Sequence, residues 1–457
     1  MNDETLKSNI FQQIIDSPHQ KVKVAIADID GVLRGKLMHK EKFLQVMESN
    51  FGFCNVVYGW DMADQSYDNV QVSGWHTGYP DAEAFVDWRT YRNIPWENNL
   101  PFFLADFTGS QASSAMAACP RSLLKQVITK AHTMGFTPFF SQEFEWFNFK
   151  QNSRELYEKN FQQLQPLTSG MFGYSLLKAA EYSEYFNDLF DLLAQFRVPL
   201  EGLHTETGPG VYEGAIQYSE ILEAADRAVL FKSAVKEIAF KHDIIPSFMA
   251  KQSQELPGCS GHVHQSLWNI EKNKNLFYDG DAVHNMSRVF QQYLAGQIHC
   301  LPHILPMLAP TINSYKRLVE GAWAPTTLTW GVDNRTTAFR ALPLGEKSAR
   351  LESRVVGSDV NPYLAMAACL ASGLYGIEHN LSLDLPPTSG NGYEDIGGGR
   401  LPSNLFEASQ AMDKSPISRE LFNPAFVDHF TQTRFWEWRQ FSVEITDWEK
   451  KRYFEII

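Results

Sequence analysis

The residue pattern predicts an α+β protein, with a small β-rich N-terminal domain over residues 1–112 and a large domain of strands and helices over 113–457. Three observations carry this. A chain of 457 residues exceeds what one small core organises, so two domains are expected. The first hundred residues show alternation and turn signals. From Cys119-Pro120 onward, helical stretches alternate with strand-like runs.

Taken in order, Lys21-Val22-Lys23-Val24-Ala25-Ile26 alternates with period two, and Asp30-Gly31 offers a hairpin turn before Val32-Leu33. Residues 50–90 carry Gly, Asp, Tyr and Trp without helical period, which reads as loops and short strands. Pro101-Phe102-Phe103-Leu104-Ala105 is one more buried strand, and Gly109-Ser110-Gln111-Ala112-Ser113-Ser114 reads as a linker. Pro120 starts a helix through Leu123-Leu124 and Val127-Ile128. Further helices are expected near 183–195, 219–242, 283–299 and 362–377, the last capped by Asn361-Pro362. Strands are expected at 138–149, 202–207, 211–218, 260–268, 327–331, 336–342 and 349–356.

Composition narrows the function. The net charge of −13, with no basic run, argues against nucleic acid as a partner and reads as a solvated acidic surface. The five cysteines form no CxxC pair, so neither a zinc site nor a disulfide framework is indicated. No run approaches 18 apolar residues, which argues against a membrane span. The polar start Met1-Asn2-Asp3-Glu4 lacks a signal-peptide core. A cytoplasmic protein is the expectation.

Three motifs tempt and are set aside. Asp28-Ile29-Asp30-Gly31-Val32-Leu33 resembles the nucleophile loop of haloacid dehalogenase-type phosphatases, but Asp-Gly between alternating strands is also a hairpin signal. Gly345-Glu346-Lys347-Ser348 lacks the Gly-Lys adjacency of a phosphate-cradling P-loop. Gly397-Gly398-Gly399 signals a flexible loop.

The chemistry resides in paired polar residues. Glu143-Phe144-Glu145-Trp146-Phe147, His262-Val263-His264 and Arg350-Leu351-Glu352-Ser353-Arg354 place polar groups at i and i+2 in strand-like runs, so each pair shares a face. Glu206 and Glu213 flank Gly208-Pro209-Gly210. Buried charges need partners or metals. Several carboxylates with an imidazole suit Mg²⁺ or Mn²⁺ better than zinc. Arginines aimed at the same cavity suit phosphate and carboxylate groups, so the set describes phosphoryl transfer.

These segments resemble the successive signatures of the glutamine synthetase superfamily. So do Glu206-Thr207-Gly208-Pro209-Gly210-Val211-Tyr212-Glu213, Gly261-His262-Val263-His264-Gln265-Ser266-Leu267 and Asn313-Ser314-Tyr315-Lys316-Arg317-Leu318. Asp333-Asn334-Arg335 and Asn361-Pro362-Tyr363 complete the series, in the family's order over most of 119–380. The resemblance implies a β-grasp N-terminal domain and a catalytic domain of antiparallel sheet and helices. It implies a ligase that couples glutamate to an amine with ATP and two or three Mg²⁺ or Mn²⁺ ions per site. By the same resemblance Glu145, Glu206 and Glu213 hold one ion, and Glu143, His262 and Glu352 a second. His264, Ser266, Arg335, Lys347 and Arg350 serve ATP, with Arg335 also catalytic. Arg317, Arg354 and the loop containing Gly258 bind glutamate. The implied assembly is a homododecamer of two hexameric rings. Asp61 and Asp64 lie where the family's N-terminal domain lends an acid to a neighbouring subunit's site.

Two departures bear on substrate. Trp323, within Val319-Glu320-Gly321-Ala322-Trp323-Ala324-Pro325, falls where the family carries an ammonium-binding Glu. The run before His262, Gly258-Cys259-Ser260-Gly261, is one residue short. An indole offers an apolar wall and a cation-attracting face where ammonium needs a carboxylate, so the expected nucleophile is an organic amine. The alternatives are that Trp323 packs into the core while Asp61 or Asp64 serves ammonia, or that the chain is a non-catalytic relative.

Overall fold

The computed structural model describes residues 3–108 and 113–457. Its N-terminal part comprises α1 (Asp3–Asp16), β1 (Lys21–Ala27), β2 (Leu33–His39), α2 (Lys40–Val46), β3 (Phe51–Cys54), β4 (Asp81–Val86), β5 (Arg92–Ile94) and β6 (Leu100–Phe107). These strands form one six-stranded sheet in the order β2-β1-β6-β4-β3, with β5 also on β6. The β1–β2 hairpin turns at Gly31, whose φ of +81° is open to glycine at low cost. Asp28 is spent on that turn. Its carboxylate accepts hydrogen bonds from the Asp30 and Val32 N–H groups and from Arg34 Nε, and it is 3% exposed, which leaves no phosphatase nucleophile.

The remainder opens with α3 (Ser113–Ala118) and α4 (Pro120–Thr133), followed by β7 (Phe136–Phe149), α5 (Ser153–Glu158), α6 (Leu176–Glu181) and α7 (Ser183–Gln195). Then come β8 (Leu200–Thr205), β9 (Val211–Ile216), β10 (Ser219–Glu220), α8 (Ile221–Phe240), β11 (Ile245–Ser247), β12 (Val263–Asn269), α9 (Arg288–Ile304) and α10 (Ser314–Arg317). Strands β13 (Trp330–Val332), β14 (Phe339–Leu342) and β15 (Arg350–Ser353) precede α11 (Pro362–Glu378), α12 (Leu405–Lys414), α13 (Pro416–Leu421), α14 (Pro424–Ser442) and α15 (Asp447–Tyr453).

The second sheet runs β13-β14-β15-β12-β7-β9-β8, with β10 and β11 on opposite ends of β7. Strand β7 is its spine. Along it Phe140, Phe144 and Trp146 are buried, while Ser141, Glu143 and Glu145 take the other face. The apolar face packs on α8, where Phe144 stacks on Phe231 at 5.6 Å. One helix, α11, is buried along nearly its whole length. It crosses α9 so closely that a Cβ on Gly296 would sit 2.2 Å from the Ser372 carbonyl oxygen.

Several polar ties fasten the N-terminal sheet to the larger body, and two of them gather several partners each. Arg121 is buried with Asp87, Asp106 and Asp226 around its guanidinium, and Tyr363 donates to Asp226 at 2.7 Å. Asn361 caps α11 through the Tyr363 N–H, while its own amide donates to the Asp28 and Ile29 carbonyls, both at 3.1 Å. Three expectations need correction. Helix α1 and the helices after residue 404 carry no reading from sequence. Residues 283–285 form a 3₁₀ turn with His284 at φ +58°, so that helix starts later, at Arg288. The linker falls partly on 109–112, outside the described residues, and 113–118 is helical. Among the described residues, no helix is long and apolar enough to cross a membrane.

Candidate active site

Register across the second sheet assembles the polar residues. Glu145 lies opposite Glu213 on β7–β9, Arg340 opposite Glu352 on β14–β15, and His264 opposite Glu352 on β12–β15. Because side chains alternate between faces, one strand order brings all of them to a common side. They line a cavity of about 660 Å³ with Glu143, Glu206, His204, His262, Arg350, Arg354, Arg335, Tyr174 and Trp323.

The carboxylates fall into two groups. Ligand atoms of Glu143, His264 and Glu352 lie within 4.8 Å of one another, as do those of His204, Glu206 and Glu213. His262 belongs beside the first group, with Nδ1 2.9 Å from Glu143 Oε1 and 3.5 Å from Glu352 Oε1. Glu145 lines the same cavity, but its Oε2 accepts the Ser260 N–H at 2.6 Å. His204 also lies beside Glu206 and Glu213. Its Nε2 is 3.5 Å from Glu213, and its ring stacks on Tyr174 at 4.4 Å.

Electrostatics explains what the groups want. Burial, reinforced by the charges of Glu143, Glu145, Glu206 and Glu352, pushes Glu213 up to about 10. Burial also raises Glu145, against the Ser260 N–H and Arg317. For Glu143 burial acts upward, but His264 and His262 outweigh it and hold the carboxyl well below its usual range. Burial likewise opposes the charge on Glu352, yet His264, Arg354 and His262 bring it to about 2. His262 is lowered to about 4 by burial and then Arg354, and its buried Nε2 has no hydrogen-bond partner among the described residues. Crowded carboxylates and an orphaned imidazole nitrogen fit divalent cations, and the oxygen-dominated donor set favours hard ones.

Two smaller chambers adjoin. One of about 410 Å³ is lined by His264, Ser266, Lys347, Arg350 and the aromatic rings of Phe139, Tyr218 and Trp268. The other, about 50 Å³, is lined by Gly258, Arg317, Arg354, Glu145, His262 and Trp323. In it Arg317 donates to the Val355 and Arg354 carbonyls and Arg354 Nε to the Arg335 carbonyl. Gly258 is required by close approach, since a Cβ there would lie 2.7 Å from both the Ala250 oxygen and Arg317 Cγ.

Trp323 is 60% exposed, on a backbone with φ +56°, where the cavity of about 660 Å³ meets the chamber of about 50 Å³. The alternative that it packs into the core is therefore overturned. Asp61 and Asp64 line neither chamber nor the cavity in this chain. Asp61 accepts from Trp436 Nε1 at 3.0 Å, and Asp64 pairs with Arg34 at 2.7 Å. Sequence reasoning missed His204 and Arg340. The first repeats the two-residue spacing in His204-Thr205-Glu206 and was findable. Arg340, which bridges Glu352 at 2.8 Å and Asp333 at 2.9 Å, becomes visible only through the β14–β15 register.

Sheet, cavity and donor set together form a site suited to divalent cations and anionic ligands, and comparison with known proteins places it in a family of ligases. The family model for the glutamine synthetase catalytic domain matches residues 117–453, and the chain belongs to the glutamine synthetase family. It is 52% identical to type-1 glutamine synthetase 2 of Dictyostelium discoideum, over 100% of this chain and 87% of that one. It is 34% identical to the glutamate–isopropylamine ligase of a Pseudomonas species, over 95% of each. It is also 34% identical to the γ-glutamylethanolamide synthetase of Streptomyces coelicolor, over 95% of this chain and 92% of that one. A solved GmaS/ADP complex superposes with a TM-score of 0.84 at 24% identity, covering 97% and 99% of the two chains, and so shares the fold.

Proposed function

We propose that the chain is an ATP-dependent ligase that forms a γ-glutamyl amide from L-glutamate and an organic amine through γ-glutamyl phosphate. A carboxylate is a poor acyl donor because its leaving group would be oxide. Attack of the glutamate γ-carboxylate on the terminal phosphorus of ATP, with cleavage of its bond to the β-phosphate oxygen and departure of ADP, supplies a better one, and the amine nitrogen then displaces phosphate. Glutamate lies against Arg317, Arg354 and the Gly258 loop. The ATP phosphates lie against His264, Arg335, Lys347 and Arg350, with Ser266 on the nucleotide side. Arg335 neutralises charge on the transferring phosphoryl group. Glu143, Glu145, Glu206, Glu213, His262 and Glu352, with His204 beside them, would hold Mg²⁺ or Mn²⁺, which polarise phosphate oxygens.

Trp323 carries the amine assignment. It stands exposed at the cavity, where a carboxylate would serve ammonium, and offers an indole face to an alkylammonium ion. A hydrogen-bonded charge partner is worth about 1.5–3 kcal/mol, so ammonia is used roughly ten- to a hundredfold less well than a fitted amine. The proton of an aliphatic amine goes to Asp61 or Asp64 of a neighbouring subunit, which requires a closed oligomer, the dodecamer of two hexameric rings.

The test is phosphate release from ATP with glutamate and a panel of amines including ammonia, for wild type and Trp323→Glu. Preference for an organic amine, shifting toward ammonia in the variant, is expected. The second reading is glutamine synthetase proper, which the 52% identity to a protein of that name supports. Best use of ammonia, unaltered by Trp323→Glu, decides for it.

A further inference from the structure

A second cleft, also about 660 Å³, adjoins the catalytic cavity and shares two of its side chains, Trp323 and Arg335. Its other walls are the turn at Val332, Asp333 and Asn334 and the loop from Pro387 to Gly390, with His284 at one side. These walls are fixed to one another. The Asn334 amide donates to the Thr388 carbonyl at 3.2 Å and to the Gly390 carbonyl at 2.9 Å. The Thr388 N–H donates to the Trp330 carbonyl at 2.8 Å, which ties the loop to β13. Asp333 is held at φ +51°, and Arg340 bonds its Oδ1. The cleft is therefore preformed, and a ligand need not bear the cost of ordering it.

Its lining is divided by chemistry. Trp323, Val332 and Pro387 are apolar, with Trp323 60% and Val332 39% exposed. Asp333, Thr388 and Ser389 are polar. Asp333 Oδ2 makes no hydrogen bond among the described residues and is an open acceptor. Of its walls, only Arg335 has a role in the proposed transfer of phosphate to glutamate.

We propose that this cleft receives the tail of the amine, and that the amine is a primary amine whose hydrocarbon chain ends in a hydrogen-bond donor. The nitrogen enters the catalytic cavity past Trp323, the methylenes lie along Trp323, Val332 and Pro387, and the terminal donor reaches Asp333 or Ser389. The inference rests on the amine reading above and extends it from nucleophile to substrate class.

The experiment measures kcat/KM for methylamine, butylamine, hexylamine, aminohexanol and hexamethylenediamine in wild type, Val332→Phe and Ser389→Trp. Both substitutions fill the cleft at exposed positions away from the carboxylate cluster. In wild type kcat/KM rises with chain length, by about threefold to fourfold per methylene. The two donor-tipped amines exceed hexylamine. In both variants the rise flattens by at least tenfold at hexylamine, while methylamine is unchanged. A flat length profile in wild type, with methylamine still used, overturns the cleft assignment and leaves the ligase reading standing. Equal use of hexylamine and its donor-tipped analogues overturns the terminal contact. Failure of every amine, with ammonia used, overturns both readings.

Discussion

Glu213 is destabilising in the protein without metal, and replacing it should make that protein more stable and less able to respond to metal. Its folded-state pKa lies near 10 because burial and the neighbouring carboxylates disfavour its charge. In the unfolded chain the same group titrates near the usual glutamate value of about 4.3. At pH 7 folding must therefore take up a proton, at a cost of up to about 3–4 kcal/mol at 1.36 kcal/mol per pH unit. Because the raised pKa lies far above 7, the stability that protonation supports is complete below the unfolded pKa and falls as pH rises, so the cost is under about 1 kcal/mol at pH 5. Glu213→Gln removes the titration and keeps the shape. In urea denaturation with a chelator present, the variant should exceed wild type by up to about 3 kcal/mol at pH 7 and by less than about 1 kcal/mol at pH 5. Saturating Mg²⁺ or Mn²⁺ should reverse the order, since ligand at a thousand times Kd adds about 4.1 kcal/mol to the form that binds it. A variant less stable than wild type at pH 7 without metal, or a difference independent of pH, would refute the reasoning.

Further outcomes follow from other buried groups. Arg121→Met leaves Asp87, Asp106 and Asp226 around an absent charge, so a loss of about 3–5 kcal/mol in urea is expected; a loss under about 1 kcal/mol would show that this network is not the fastening between the two sheets. His429, held at about 3 by burial and then Arg434, has no partner on either ring nitrogen. The folded state thus loses stability as pH falls below about 6.5, reaching about 2 kcal/mol at pH 5, and His429→Leu should flatten this slope in pH-dependent melts. Mass measurement in solution should find a closed dodecamer, and an active monomer would remove Asp61 and Asp64 from the site.

What the sequence discloses divides along a physical line. The alternation in Glu143-Phe144-Glu145-Trp146 is a local property, so the shared face of the two carboxylates is legible and β7 presents them so. The Asp30-Gly31 turn and the Asn361-Pro362 cap are local too, and both stand where the residues place them. Register is not local. Nothing in the residues around Arg340 states that it faces Glu352, and nothing in Asn361 discloses that its amide also holds the β1–β2 hairpin. Helices α12 and α13 pack on α9, and α14 packs on α3, by contacts distant in sequence, and α14 has a weak amphipathic pattern to announce it. The grouping of His204 with Glu206 and Glu213 depends on where β8 ends and the following loop bends back.

The left-handed backbone at Trp323 limits how this site can change. At φ +56° a β-branched side chain is a steric outlier, so Val, Ile and Thr are handicapped there before their chemistry is consulted. Trp and Glu both branch beyond Cβ and meet the same backbone on nearly equal terms. An exchange between the two would therefore alter the proposed nucleophile pocket with little conformational penalty, whereas a path through Val, Ile or Thr would meet one. On the proposed reading, substrate drift at this position favours a jump between a flat aromatic surface and a charge over passage through β-branched residues.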